Sequence, residues 1–173
     1  MQQTEVHYQE NLQPNRDELH AFFEAAFQEL SDSSNFTVDQ NQRLDEWFSV
    51  DEMLNYLPHG SLIEARLNNG TLVGAIFIGK QNPISWPDGR KMELFILGVH
   101  KQHRMHDIAR KLIALSEAYT KKAGSKKIIV NTHALMENIH SFYKKLGYEE
   151  MGKLTNYYDN GNAAFFQKII KSD

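Results

Sequence analysis

A nearly unbroken apolar run, Met92–Val99, is followed by apolar positions at helical spacing, Ile108, Leu112, Leu115 and Tyr119, and then by a second run, Ile128-Ile129-Val130. Continuous runs of this kind suit strands buried on both faces. Joined through a helix, two such strands form a parallel crossover, which is almost always right-handed. Gly124 is placed to end the intervening helix. The chain therefore reads as α/β. It has no cysteine, so a disulfide scaffold, a thiolate nucleophile and a Cys-ligated zinc site are excluded.

The rest of the chain is arranged around this unit. Leu19, Phe22, Phe23, Ala26, Phe27 and Leu30 recur at helical spacing up to the polar breaker Ser31–Asn35. A second helical region covers Gln42–Leu57, where Ser49 and Glu52 have capping-box spacing and Pro58-His59-Gly60 is the stop. Ser61–Leu67 and Thr71–Ile78 flank Asn68-Asn69-Gly70 and read as a hairpin, with Asn-Gly supplying the positive φ angles. Pro83, Pro87 and Asp88-Gly89 mark a second connection. Past the crossover, Ile139, Phe142, Tyr143 and Leu146 form a helical stripe ending at Gly147. Tyr148–Tyr158 and Ala163–Ile170 form a last antiparallel pair around Asp159-Asn160-Gly161. No repeat or linker interrupts the 173 residues, so one domain is expected.

Charge divides the chain unevenly. Residues 1–60 carry 12 acidic and 2 basic side chains, a net of −10, whereas residues 61–173 carry 10 and 17, a net of +7. Eight of the 17 cations lie between Lys101 and Lys127, which suggests an anionic ligand on that half, or a lopsided solvated surface. Lys121, Lys122, Lys126 and Lys127 read as a solvated helix end. The basic stretch lacks interleaved aromatics and the remainder is acidic, so nucleic acid is not expected as a partner. Residues 1–10 contain no leader-like apolar run, and the stretch around Leu94–Leu97 falls far short of the roughly 20 residues of a membrane helix. A cytoplasmic protein without a membrane partner is the expectation.

The chemistry concentrates in Leu94–Tyr148. A buried strand ending at Val99, a polar turn and a helix opening near Asp107–Ile108 leave several N–H groups without intrahelical partners, and the helix dipole adds positive charge at the same spot. Such a junction seats a pyrophosphate. Lys101, Arg104, Arg110 and Lys111 surround it. The segment from Val99 through Arg104, Met105, His106, Asp107, Ile108 and Ala109 to Arg110 resembles the acyl-CoA-binding signature of the GNAT N-acetyltransferase superfamily. About 40 residues on, Asn138-Ile-His-Ser-Phe-Tyr143-Lys-Lys-Leu-Gly147-Tyr148 resembles that family's second signature. Two motifs in this order and at this separation are far more specific than either alone.

The resemblance implies a GNAT-like fold over residues 61–173, a central mixed, mostly antiparallel, splayed sheet flanked by helices, with residues 1–60 as variable N-terminal helices. It implies acetyl transfer from acetyl-CoA, as co-substrate and without metal, to an amine of a small molecule or peptide. An amine of pKa about 10.4 is protonated at neutral pH and must lose a proton to attack. The resemblance gives that task to Glu93, whose pKa an apolar strand would raise, although an edge glutamate facing solvent fits the same position. Main-chain N–H groups at Leu97 and Val99 would polarise the thioester carbonyl. Gly98 suits a bulge or close approach that would splay the strands for pantetheine. Tyr143 is the family's usual proton donor to the leaving thiolate; on its own it would read as a core tyrosine. Asn138 would bond pantetheine or cap its helix. Where the family favours glycine this chain has Met105 and Asp107. A carboxylate there repels a diphosphate or caps the helix itself, so weakened cofactor binding is expected.

His100, His103 and His106 recur every third residue, but the phosphate loop accounts for the same segment and no metal is expected. His133 reads as a loop residue or as part of the acceptor pocket. The acidic first third suggests a cationic acceptor such as a polyamine, aminoglycoside or basic peptide, bound between the N-terminal helices and the C-terminal strands. A homodimer is compatible with the sequence. The competing reading is a non-catalytic CoA or acyl-CoA sensor with a degenerate phosphate loop.

Overall fold

The computed structural model describes residues 5–28, 49–80, 91–158 and 161–171. The breaker at 31–35, the helical stretch 42–48, the connection at 83–89 and Asp159-Asn160 lie outside the described residues. Seven strands form one mixed sheet: β1 (Val6–Glu10), β2 (Gly60–Leu67), β3 (Leu72–Gly79), β4 (Lys91–Val99), β5 (Lys127–His133), β6 (Glu149–Tyr158) and β7 (Gly161–Ile169). Their spatial order is β1-β2-β3-β4-β5-β7-β6, and only β4 and β5 pair in parallel. Among the described residues four α-helices cover the sheet: α1 (Arg16–Gln28), α2 (Val50–Tyr56), α3 (Ile108–Lys122) and α4 (Glu137–Lys145).

The first two helices each start at a side-chain cap. The Asn15 side chain accepts from Glu18 N at 3.0 Å and opens α1, whose Leu19, Phe22, Phe23 and Ala26 form one buried stripe. The Ser49 side chain accepts from Glu52 N at 3.2 Å and opens α2, as the capping-box spacing predicts. These helices pack on Leu62, Phe77 and Ile96 on one face of the sheet. On the other face, Ile108, Leu112 and Ile113 of α3 and Tyr143 of α4 pack on Ile76, Met92, Leu94, Ile128 and Phe166.

The structure corrects the sequence reading in several places. The polar N-terminal segment contains β1, an edge strand with two apolar residues, too few for a periodic signal. In the hairpin turn Gly70 has positive φ (86°) but Asn69 does not, so Gly70 alone supplies the left-handed angle there. β4 is not buried on both faces: Met92, Leu94, Ile96 and Gly98 are buried, and the residues between them are half-exposed. The bulge in β4 falls at Phe95 rather than Gly98, because Phe77 faces Ile96 while Ile78 faces Leu94. Gly98 serves a close approach of α1, since a Cβ there would meet Phe23 at 3.1 Å and Phe22 at 3.2 Å.

The Phe95 bulge changes the phase of the strand. Before it, Met92 and Leu94 face α3 and α4; after it, Leu97 and Val99 do, while Ile96 joins the α1 and α2 side. Pairing of β4 with β5 runs only from Lys91↔Lys127 to Leu94↔Val130, so the two strands part beyond that point. The sheet is splayed in its middle.

Arg66 fixes α1 against the sheet. Its guanidinium donates to Glu64 at 2.8 Å and to both Glu18 oxygens at 2.6 and 2.8 Å. Glu64 is fully buried and also accepts from Asn11 Nδ2 at 2.9 Å. Among the described residues no helix is long and apolar enough to cross a membrane.

Candidate active site

The gap between β4 and β5 is lined by main chain. His100 N donates to Val73 O at 2.9 Å, so the two-residue period of the strand turns the polar groups of Leu97 and Val99 away from β3, toward the gap. β5 offers them no register partner beyond Leu94. The Val99 carbonyl faces the same way and accepts from Arg104 Nε at 3.1 Å.

Past Val99 the chain makes a 3₁₀ turn at Lys101–His103 and enters α3. Met105 (φ 66°) and Asp107 (φ 58°) are both left-handed. These are the positions at which the signature takes glycine, which reaches such angles without the cost of a Cβ. Left-handed residues interleaved with others turn successive N–H groups into one concavity. Among the described residues, none of the N–H groups from Met105 to Arg110 donates to a main-chain carbonyl, and Lys111 N is the first that does, to Asp107 O at 2.9 Å. A concavity of this kind could hold a diphosphate, and the open strand edge beside it an extended amide-containing arm.

The expected cap at Asp107 is absent. The residue stands at the N-cap of α3 without a side-chain cap bond, and its Oδ1 lies 3.2 Å from Arg110 Nε. A left-handed backbone points the carboxylate outward along the helix instead of back onto its N–H groups. The Arg104 guanidinium turns away from the concavity, giving its second bond to Ala26 O in the last turn of α1 at 2.9 Å. It buttresses the turn. His106 Nδ1 bonds the Arg104 carbonyl at 2.8 Å, and the His100 and His103 rings lie 5.9 Å apart. Ile108 is buried under the helix start, Ala109 is half-buried and Met105 is fully exposed.

Glu93 lies one residue before the gap, opposite Ile129, on the sheet face away from α3 and α4. Burial raises its pKa, and Lys91 opposes the rise. Asn131 Nδ2 donates to Glu93 Oε1 at 3.3 Å, and Tyr158 donates to Asn131 Oδ1 at 2.5 Å. The Tyr158 ring stacks on His133 with centroids 5.7 Å apart. Burial, with Tyr157 and Glu93 nearby, pushes the Tyr158 phenol up to about 12. Glu93 also opens onto a cleft of about 270 Å³ lined by Lys91, Met92, Ile129, Met151, Leu154, Tyr157 and Phe165.

Tyr143 sits on the other face, 4% exposed, stacked on Phe166 and edge-on to Tyr148. Burial raises its pKa, so the phenol keeps its proton at neutral pH. His140 anchors α4 to β5: Nε2–H donates to His133 O at 3.1 Å and lies 2.9 Å from Thr132 Oγ1. Asn138 is exposed in the first turn of α4 and is not its cap, which is Met136. Sequence reasoning missed Asn131 and Tyr158. The available signal was a lone amide closing the apolar run Ile128-Ile129-Val130.

The model of the acetyltransferase (GNAT) family matches residues 16–148, so the chain belongs to the GNAT acetyltransferase family. It is 32% identical over 99 residues, 57% of its length, to N-alpha-acetyltransferase 30 of Schizosaccharomyces pombe. It is 30% identical over 97 residues, 55% of its length, to the Mus musculus protein named "Probable N-acetyltransferase family 8 member 5". The chain spans 65% and 41% of the lengths of these relatives. A GNAT-family acetyltransferase from Staphylococcus aureus Mu50 superposes with a TM-score of 0.71 at 19% identity, covering 96% of this chain and 100% of the other.

Proposed function

We propose that the chain transfers an acetyl group from acetyl-CoA to a primary amine by direct attack. The observation that carries this reading is the parting of β4 and β5 beyond Leu94 and Val130, with a half-buried carboxylate on one sheet face and a buried phenol on the other. The N–H groups of residues 105–110 would hold the diphosphate, with Arg110, Lys101 and Lys111 adding positive charge; Leu97, Val99 and Asn138 would hold the pantetheine arm. When bound, acetyl-CoA supplies an acetyl thioester with a thiolate as leaving group.

The chain's own residues then divide the work. Glu93 takes the ammonium proton at Oε, directly or through one water, and its raised pKa brings it closer to neutral pH, where a base is most effective. Asn131 and Tyr158 position it. The Tyr158 hydroxyl occupies the amide oxygen, so the amide N–H₂ is the end presented to Glu93. The N–H groups of Leu97 and Val99 would donate to the thioester oxygen and stabilise negative charge there. Tyr143 holds a proton for the departing sulfur, and its apolar surroundings exclude water from that transfer. With no cysteine to carry an acyl group, the amine and the thioester meet directly.

Calorimetric titration of CoA followed by a thiol-release screen over a panel of amines tests this. Turnover by the native chain, with losses of about 100-fold in kcat for both Glu93→Gln and Tyr143→Phe, is the expected result. CoA binding without turnover of any amine would leave the sensor reading in its place. Full rates in both variants would remove the assigned roles.

A further inference from the structure

The outer strand β6 breaks its own alternation twice. Glu150 faces Phe166 and Gly152 faces Phe165, which leaves Met151 as an extra residue. Leu154 faces Ala163 and Tyr158 faces Gly161, so Thr155, Asn156 and Tyr157 stand against Asn162 alone. Asn156 there is left-handed (φ 52°), and its N–H is held by Asn162 Oδ1 at 3.0 Å. In a regular strand, residues three apart point to opposite faces. Met151, Leu154 and Tyr157 are each three apart, yet all three line the cleft beside Glu93. The two irregularities re-aim them to one side.

The result is an apolar wall around one carboxylate. Tyr157 and Phe165 meet edge to face with centroids 5.2 Å apart, and Ile129 closes the inner side. Met151, Leu154 and Tyr157 remain 51%, 52% and 46% exposed, an unusual outlay of apolar surface on three neighbouring positions. Lys91 is the only other charged side chain lining the cleft among the described residues. A ligand with one ammonium group matches Glu93 and places that cation beside aromatic rings. Further ammonium groups on the same ligand would sit against Met151, Leu154 and Phe165 or approach Lys91, losing water without gaining a partner. The volume of about 270 Å³ holds a single ring or branched side chain with its amine. A cavity of roughly 150 Å³ already takes benzene, and drug-sized pockets begin near 300 Å³.

We infer that the acceptor is a primary amine on a short apolar skeleton, whether a free arylalkyl or branched alkyl monoamine or the first residue of a peptide with an apolar side chain. It is seated by the re-aimed side chains of β6, with its nitrogen at Glu93. This inference rests on the acetyltransferase reading and replaces the polycationic acceptor suggested by the charge of residues 1–60, none of which lines the cleft among the described residues.

The test measures thiol release from acetyl-CoA by the full chain with phenethylamine, isopentylamine, a tripeptide beginning with leucine, spermidine and kanamycin. The expected result is a kcat/KM for at least one of the first three that is about tenfold or more above both polycations. The amine or peptide with the larger value identifies the source. The double variant Met151→Gln/Leu154→Gln, at two exposed positions, should raise KM for the preferred apolar amine about tenfold and leave kcat and CoA affinity unchanged. Preference for spermidine or kanamycin overturns the inference while the acetyltransferase reading stands. An unchanged KM in the double variant overturns it as well, because the cleft is then not the acceptor site. CoA binding without turnover of any amine removes both readings together.

Discussion

The Tyr158 hydroxyl donates to Asn131 Oδ1 at 2.5 Å, and this contact determines which end of the Asn131 amide meets Glu93. A hydrogen bond to a carboxylate favours its charged form. Burial raises the Glu93 pKa and Lys91 opposes the rise; a hydrogen bond from Asn131 acts in the same direction as Lys91. In Asn131→Leu the donor is gone, so the acidic limb of the kcat/KM profile moves to higher pH. Tyr158→Phe frees the amide to turn over and gives a smaller shift in the same direction. A pH–rate series on the two variants checks this; an unmoved limb in Asn131→Leu would show that the amide does not act on the base.

Glu93 also contributes a pH dependence to stability. Its pKa is raised in the fold, so the native state holds a proton that the unfolded chain has already released. Stability is then lost as pH rises from the ordinary carboxylate range through the raised value. Glu93→Gln removes this loss and is at least as stable as the native chain at pH 8, though nearly inactive. Thermal melts from pH 4 to pH 8 should show the two curves converging toward acid and the variant ahead in base.

Asp107 occupies a left-handed position with its carboxylate beside the proposed diphosphate seat, partly offset by Arg110 at 3.2 Å. Asparagine tolerates the same backbone angles and carries no charge. Asp107→Asn therefore tightens CoA binding by about twofold to fivefold, the scale of a surface charge near a helix start. The gain should shrink as salt is added. Calorimetry at low and high ionic strength measures both effects.

Arg66 supplies the counter-charge to the fully buried Glu64. Arg66→Met strands that carboxylate with Asn11 as its remaining partner and costs about 3–5 kcal/mol in urea denaturation. The double variant Glu64→Leu/Arg66→Met recovers most of the loss, because two apolar side chains need no partner. A double variant as unstable as the single one would show that the pair does more than neutralise itself.

The strand–turn–helix junction was legible because each part carries its own signal: an apolar run, a polar break, then helical spacing. The left-handed angles at Met105 and Asp107 were foreshadowed by the glycines that the signature places there. The bulges were not legible. Met92, Leu94, Leu97 and Val99 share a face only because Phe95 is out of register, and no rule of alternation anticipates a change of phase inside an unbroken apolar run. The same holds for Met151, Leu154 and Tyr157, and the cleft they form was invisible for that reason. Arg104 follows the turn, but whether its guanidinium faces a phosphate or the end of α1 depends on a helix about 80 residues earlier in the chain.

Four residue pairs, Lys91–Leu94 against Lys127–Val130, are the whole seam between a four-stranded leaf and a three-stranded one. A coenzyme arm lodged beyond that seam would bond to both leaves at once and act as mortar between them. The melting temperature should therefore climb with coenzyme concentration more than contacts to the helix start alone would require. Shortening the seam, rather than altering any catalytic group, is the change that would make the protein depend on the proposed coenzyme to stay folded.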